Sequence, residues 1–316
     1  MNTALLFPGQ GAQYIGMCSR LIENYSCAAD IFRDADDCLG FSLTEMILHG
    51  DMPELTHSAN AQPAVVTASY ALYEVFVRET GIVPCCGIGH SLGEISALMA
   101  SGALSFCDGV RFARKRGEIM HRAFKEKRGR DALILELPEE VVEKEVREVC
   151  CTEGYVAVSC YNSPVQYIVA GLSTALKALE KRIRKLGGEY VPFSMLPMKV
   201  DAPYHSELMD FIVPELESEL HDIEFRPFNW MVISTISGKP YANHHIIREH
   251  LVSQMVNPVK WKQGISWLET LDINSVVDIG PGTFIKNLFE ENTDNLECRA
   301  YDLQEDPETV TELVLV

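Results

Sequence analysis

The sequence is short of positive charge. Lys and Arg number 27 against 45 Asp and Glu, a formal net charge of −18 over 316 residues. A protein that grips a phosphate backbone needs a basic footprint, so general nucleic-acid binding is a poor fit. Long apolar runs are missing as well. None approaches the ~18 residues that a membrane-crossing helix requires. The opening Met1-Asn2-Thr3-Ala4-Leu5-Leu6-Phe7-Pro8 lacks a basic n-region and a long apolar core, so it does not read as a secretory signal. A soluble cytoplasmic protein with no membrane contact is expected. No internal repeat or low-complexity linker is visible. The 10 cysteines contain no C-x-x-C pair, and no histidine follows at zinc-ligand spacing. They read as free thiols in a reducing compartment, most of them packed as small hydrophobes. No metal site is expected.

What is present is ordinary globular material: 47% hydrophobic, 23% charged and 9% aromatic residues. Such a chain can bury a substantial core without staples. Thr3–Phe7 reads as a buried strand running into Pro8-Gly9-Gln10-Gly11. Helical periodicity covers about 14–38 and Ala61–Arg78. Gly81–Ile88 then reads as a strand and Leu92–Ala100 as a helix of small residues. Strands alternating with helices point to a parallel α/β sheet. From about Arg130 the order becomes strand (Ala132–Leu137), helix (Pro138–Cys150), strand (Tyr155–Cys160), strand (Gln166–Ala170), helix (Thr174–Leu186) and strand (Glu189–Phe193). That β-α-β-β-α-β order is ferredoxin-like. It predicts a small domain over 129–195 inserted in a larger one made of 1–128 and 196–316. In the latter, Glu207–Leu220 reads as a helix, and Trp230–Thr235 and Ser275–Asp278 as strands. The acid-rich tail from Glu290 reads as a surface segment.

The sharpest local signal is Gly89-His90-Ser91-Leu92-Gly93, a G-x-S-x-G pattern between a predicted strand and a predicted helix. The turn sets Ser91 on a tight corner, and small residues at 89 and 93 let the backbone pack closely. The helix N-terminus beyond offers free N–H groups, so the Leu92 N–H would face a developing oxyanion. A serine nucleophile needs a base. Of nine histidines, His205 stands out, in a turn just before a helix (Asp201-Ala202-Pro203-Tyr204-His205-Ser206). His90 neighbours the serine but is expected to point away. Asp201 is a weak candidate for a third triad member.

Several motifs now fall in order: Phe7-Pro8-Gly9-Gln10-Gly11-Ala12-Gln13, Gly89-His90-Ser91-Leu92-Gly93-Glu94 and Ala202-Pro203-Tyr204-His205-Ser206. Ala61-Gln62-Pro63-Ala64, Asn162-Ser163-Pro164, Ser237-Gly238-Lys239-Pro240, Asn257-Pro258-Val259 and Gly280-Pro281-Gly282 accompany them. Together they resemble the malonyl-CoA:acyl carrier protein transacylases of fatty acid synthesis, and the discrete acyltransferases of polyketide synthesis. The resemblance runs nearly the whole chain. It implies an α/β-hydrolase-like domain with an inserted ferredoxin-like subdomain. It also implies Ser91 as nucleophile, His205 as base, and the Gln10 and Leu92 N–H groups as oxyanion hole. A main-chain carbonyl near Gln254 would orient the histidine, which demotes Asp201. Arg116, in Arg114-Lys115-Arg116-Gly117-Glu118, matches the arginine that holds the free carboxylate of the extender unit. Gln62, Asn162, Tyr204 and Gln254 would join it around the substrate.

The implied chemistry is ping-pong transfer of a malonyl group, with malonyl-CoA as cosubstrate, an acyl carrier protein as partner and no cofactor. Tyr204 departs from the Phe or Ser usual before the histidine, and its ring should disfavour an α-branched acyl group. Gly129-Arg130-Asp131-Ala132-Leu133 departs from the usual Gly/Met-rich entry to the small domain and should alter the cleft wall. The unusual tetrad leans the reading slightly toward polyketide synthesis. The basic residues cluster over Arg111–Arg130 and at Lys181, Arg182, Arg184 and Lys185, where they would steer an acidic carrier protein or CoA phosphates. The alternative function is an acyl hydrolase of the same fold, which tends to lack the arginine. A catalytically idle carrier-binding scaffold is a third reading, disfavoured by an intact Ser91 and His205.

Overall fold

In the computed structural model, residues 2–196 and 202–302 are described; Asp201 lies outside them. The chain builds a mixed α/β architecture with two sheets. The larger sheet has the order β10-β9-β1-β2-β7-β8. Its strands are β1 (Thr3–Phe7), β2 (Cys86–Gly89), β7 (Met231–Ser234), β8 (Lys239–Pro240), β9 (Ser275–Asp278) and β10 (Cys298–Ala300). All pairings are parallel except β7 with β8. β1 is buried throughout, as a strand covered on both faces must be. Its side chains alternate between two cores: Leu5 and Phe7 on one face, Ala4 and Leu6 on the other.

The register positions the site. Phe7 pairs with Gly89, so the loops leaving β1 and β2 emerge side by side at the carboxyl edge of the sheet. Gln10 leaves from one and Ser91 from the other. The helix Phe106–Glu126 is capped by the Ser105 side chain, which accepts from the Asp108 N–H. Its buried stripe includes Phe112, Ala113, Arg116, Gly117, Met120 and Ala123. Arg116 thus takes a place on an apolar helix face, at the i, i+3, i+4 spacing that points side chains inward.

The smaller sheet contains β3 (Arg130–Leu135), β4 (Val156–Ser163), β5 (Gln166–Gly171) and β6 (Glu189–Pro192). It is antiparallel, in the order β4-β5-β3-β6, with the helices Glu139–Glu153 and Ser173–Lys185 packed on it through Val142, Val146, Leu176 and Leu179. This is the ferredoxin-like arrangement the element order predicted. It meets the large domain through backbone bonds: Tyr161 N–H to Val259 O, and Val259 N–H to Ser159 O, both 2.9 Å.

Several expectations need correction. The helix anticipated over 14–38 is two helices, Ser19–Asn24 and Ser26–Leu39, interrupted where Tyr25 turns extended. The helix anticipated over 207–220 begins as a 3-10 segment, Glu207–Ile212, and becomes α-helical only at Val213. Pro214 has no N–H to donate back into the preceding turn, so a regular helix restarts around it. The segment after Glu290 is not all surface: β10 extends the sheet beside β9, and Cys298 and Tyr301 are buried. Cys38 and Cys107, read as free thiols, form a disulfide between the helices Ser26–Leu39 and Phe106–Glu126. Among the described residues no helix is long and apolar enough to cross a membrane, and no group of His, Cys, Asp and Glu is arranged to hold a metal ion.

Candidate active site

A cavity of about 320 Å³ opens where the two domains meet, with Gln10, His90, Ser91, Tyr204 and His205 in its lining. Ser91 stands on a corner that only a few residues allow. A Cβ on Gly89 would lie 1.9 Å from the Gly93 carbonyl carbon, and one on Gly93 would lie 2.1 Å from Phe7 O. Neither glycine admits a side chain while the corner keeps this shape. Ser91 itself has φ 51°, and His205 has φ 58°. Left-handed backbone at a non-glycine residue costs on the order of 1–3 kcal/mol. The two strained residues touch each other through their side chains.

Ser91 Oγ lies 2.8 Å from His205 Nε2. His205 Nδ1 lies 2.8 Å from the main-chain oxygen of Gln254. A carbonyl can only accept, so Nδ1 carries the proton and Nε2 is left as the acceptor for the serine hydroxyl. Burial first, and the nearby Arg116 charge second, push the His205 pKa down to about 3. The imidazole is therefore neutral at physiological pH, with Nε2 unprotonated. Within residues 2–196 and 202–302, neither the Gln10 nor the Leu92 N–H is taken by another group. Those two donors, on adjoining loops, are available to a carbonyl oxygen.

Arg116 is 2% exposed. Its Nη1 donates to Gln62 Oε1 at 2.9 Å, and its Nη2 to Gln254 Oε1 at 2.9 Å and to Ser91 Oγ at 3.2 Å. Met255 Sδ is 3.2 Å from Nη2. Burial lowers its pKa to about 10, partly offset by Tyr204 and Glu94, and the group stays cationic at neutral pH. Among the described residues none of its hydrogen-bond partners is charged. A buried cation that no described carboxylate touches is compensated only at a distance, here by Glu94, and it faces Ser91.

The other anticipated site residues fall around this centre. Gln62 Nε2 donates to Gln10 Oε1 at 3.1 Å, tying the loop after β1 to the guanidinium. Tyr204 OH donates to Met120 O at 3.0 Å, holding its ring against the cavity. Asn162 and Gln166 line the small-domain wall, as do Asp131 and Leu133.

The acyl transferase domain family matches residues 4–303. The chain belongs to that family. It is similar to the malonyl CoA-acyl carrier protein transacylase of Bacillus subtilis (strain 168), with 36% identity over 308 residues, 97% of this chain and 94% of that protein. It is similar to the transacylase of the same name from Escherichia coli (strain K12), with 33% identity over 298 residues and 94% of each chain. Among solved structures it resembles a malonyl-transacylase captured with its type II polyketide acyl-carrier protein, at 28% identity and a TM-score of 0.91, over 100% of this chain and 99% of that one.

This acyl transferase also holds residues that sequence reasoning missed. His90 does not point away. It lines the cavity, and its Nε2 sits 2.9 Å from Asn162 Oδ1, so Asn162 braces a histidine beside Ser91. Glu94, Thr235 and Tyr241 form a buried cluster behind Gln254. Glu94 had a signal, a carboxylate in a helix of otherwise small and apolar residues; the two partners after β7 had none. Part of each basic cluster is paired with carboxylates. Arg114 and Lys115 pair with Glu118, Arg122 with Glu215, and Arg128 with Glu126. On the small domain Arg182 pairs with Glu145 and Glu148, and Arg184 with Glu180.

Proposed function

We propose that this acyl transferase carries a malonyl group from malonyl-CoA to the phosphopantetheine thiol of an acyl carrier protein, for fatty acid or polyketide synthesis. The observation that carries this reading is the buried Arg116 guanidinium, hydrogen-bonded only to neutral groups and 3.2 Å from Ser91 Oγ. A malonyl thioester brings a free carboxylate to a guanidinium that no carboxylate among the described residues touches, Glu94 acting on it only across Gln254, and a guanidinium fork suits that carboxylate.

His205 Nε2 takes the proton of Ser91 as Oγ attacks the thioester carbonyl. The Gln10 and Leu92 N–H groups receive the oxyanion. Collapse breaks the carbon–sulfur bond, His205 returns its proton to the departing CoA thiolate, and a malonyl-serine ester remains. The carrier's thiol then attacks that ester while His205 takes the thiol proton. Collapse of the second intermediate returns the proton to Ser91 Oγ and frees malonyl-carrier protein. Throughout, Arg116 holds the distal carboxylate, with Gln62 and Gln254 steadying the guanidinium and Tyr204 and Asn162 shaping the pocket. No further cofactor enters these steps. We assign the catalytic framework to 1–128 and 196–316 and the inserted ferredoxin-like domain to 129–195, with the cleft between them receiving the carrier's arm. The reading places the protein in the cytoplasm, where malonyl-CoA is available.

Intact-protein mass spectrometry tests this after brief incubation with malonyl-CoA, acetyl-CoA or methylmalonyl-CoA. A malonyl adduct absent from Ser91→Ala, passed on when holo carrier protein is added, is the expected result. In Arg116→Ala the malonyl adduct should be lost and the acetyl adduct retained. Rapid turnover of simple acyl thioesters with no malonyl adduct would instead install the acyl hydrolase, the alternative that the presence of Arg116 disfavours.

A further inference from the structure

Glu94 is fully buried in the first turn of the helix Gly93–Ala100. Its carboxylate collects four donors. Oε1 accepts from the Thr235 N–H at 3.0 Å and from Tyr241 OH at 2.8 Å. Oε2 accepts from Thr235 Oγ1 at 2.8 Å and from Gln254 Nε2 at 2.5 Å. Gln254 Nε2 also donates to the main-chain oxygen of Ser91 at 3.1 Å.

Those contacts settle which way the Gln254 amide faces. On one side stand two groups that can only accept, the Glu94 carboxylate and the Ser91 carbonyl. On the other stands Arg116 Nη2, which can only donate. The amide nitrogen must face Glu94 and the amide oxygen must face Arg116. The same residue's main-chain oxygen holds His205 Nδ1. We propose that Glu94 is a positioning residue which, by locking the Gln254 amide, aims Arg116 at the carboxylate of the incoming acyl group. This rests on the reading of Arg116 as the carboxylate site.

Glu94→Gln keeps the shape and removes the lock. The fixed Thr235 N–H keeps an oxygen at the Oε1 position, so the new amide nitrogen points at Gln254 Nε2. If Gln254 stays, two donors oppose each other. If it flips, its oxygen meets the Ser91 carbonyl and its nitrogen meets Arg116. Either way the guanidinium loses its setting. The readout is the ratio of single-turnover Ser91 acylation rates with malonyl-CoA and acetyl-CoA. A hydrogen bond to a charged group governs specificity by about ten- to a hundredfold, so the ratio should fall by about that factor in Glu94→Gln. It should be retained in Tyr241→Phe, which loosens the cluster without touching Gln254. General loss of structure would slow both substrates together and leave the ratio standing. Gln254→Met keeps the main-chain oxygen for His205 and deletes the amide; it should match Glu94→Gln, and it carries the test if Glu94→Gln does not fold. A preserved ratio in Glu94→Gln, or in Gln254→Met, overturns the proposal. A wild-type enzyme with no preference for malonyl-CoA, or an Arg116→Ala variant that keeps the preference, overturns the reading beneath it instead.

Discussion

His205 should make this enzyme unusually tolerant of acid in its first half-reaction, and Arg116 should be part of the reason. Burial is the larger cause of the depressed histidine pKa and the Arg116 charge the next. Both side chains contact Ser91 Oγ, at 2.8 Å and 3.2 Å. Their nitrogens therefore lie within about 6 Å of each other, where a unit charge at an effective dielectric constant of about 20 contributes about 2.8 kcal/mol, or roughly two pKa units. Because burial outweighs it, the share lost on deleting the charge should be about one to two units. Arg116→Met removes the cation while filling its volume.

The assay is single-turnover acylation of Ser91 by acetyl-CoA, which needs no carboxylate partner, between about pH 3 and 8, with circular dichroism at each pH. The wild type should hold its rate well below 6.5, the ordinary histidine value. Arg116→Met should lose rate at a pH about one to two units higher than the wild type does. An acid limb near 6.5 in the wild type would refute the burial of His205, and superimposable profiles would refute the contribution of Arg116. The stability sign follows. The unfolded chain binds a proton at His205 below about 6.5 that the folded chain refuses, so this residue subtracts stability as the pH falls from there toward 3.

Tyr204→Ala removes a nearly buried ring from the pocket wall and should raise acylation by methylmalonyl-CoA at least about tenfold relative to malonyl-CoA, a difference of about 1.4 kcal/mol; an unchanged ratio by mass spectrometry would show that the ring is not the barrier. The Cys38–Cys107 disulfide spans 69 residues, and closing a loop of that size restricts the unfolded chain by about 4 kcal/mol. Dithiothreitol and Cys38→Ser should both lower the melting temperature while Ser91 acylation at 25 °C persists; an unmoved melting curve would mean that the bond adds nothing. Gly93→Ala drives a methyl into Phe7 O, so it should abolish acylation, and a variant that still labels with malonyl-CoA would show that the corner can relax.

How much of this was written in the chain order depends on the range of the physics involved. The tight corner at Gly89–Gly93 was legible, because it needs only a strand, a turn and a helix in succession. The ferredoxin-like unit was legible for the same reason: alternation and turn residues are local, and so are β3 to β6. The resemblance supplied candidates for base, guanidinium and oxyanion hole, but not their distances. Where local patterns were weak, the reading slipped. Tyr25 breaks a helix that periodicity carried through, Pro214 delays another, and β10 joins the sheet from a segment that looked acidic and external.

Tertiary structure decided the rest by bringing together residues that have no sequence relation. Phe7 beside Gly89 sets two loops edge to edge, and that register alone makes Gln10 and Ser91 neighbours. Ser91 and His205, 114 positions apart, meet at hydrogen-bond distance with both backbones in the left-handed region. The basic stretches look unpaired in one dimension, yet folding supplies carboxylates to some of their members, such as Glu215 to Arg122 and Glu145 to Arg182. Composition and spacing determined which groups were available. Only packing decided that Arg116 would be buried among neutral partners, and that Glu94 would turn a glutamine toward it.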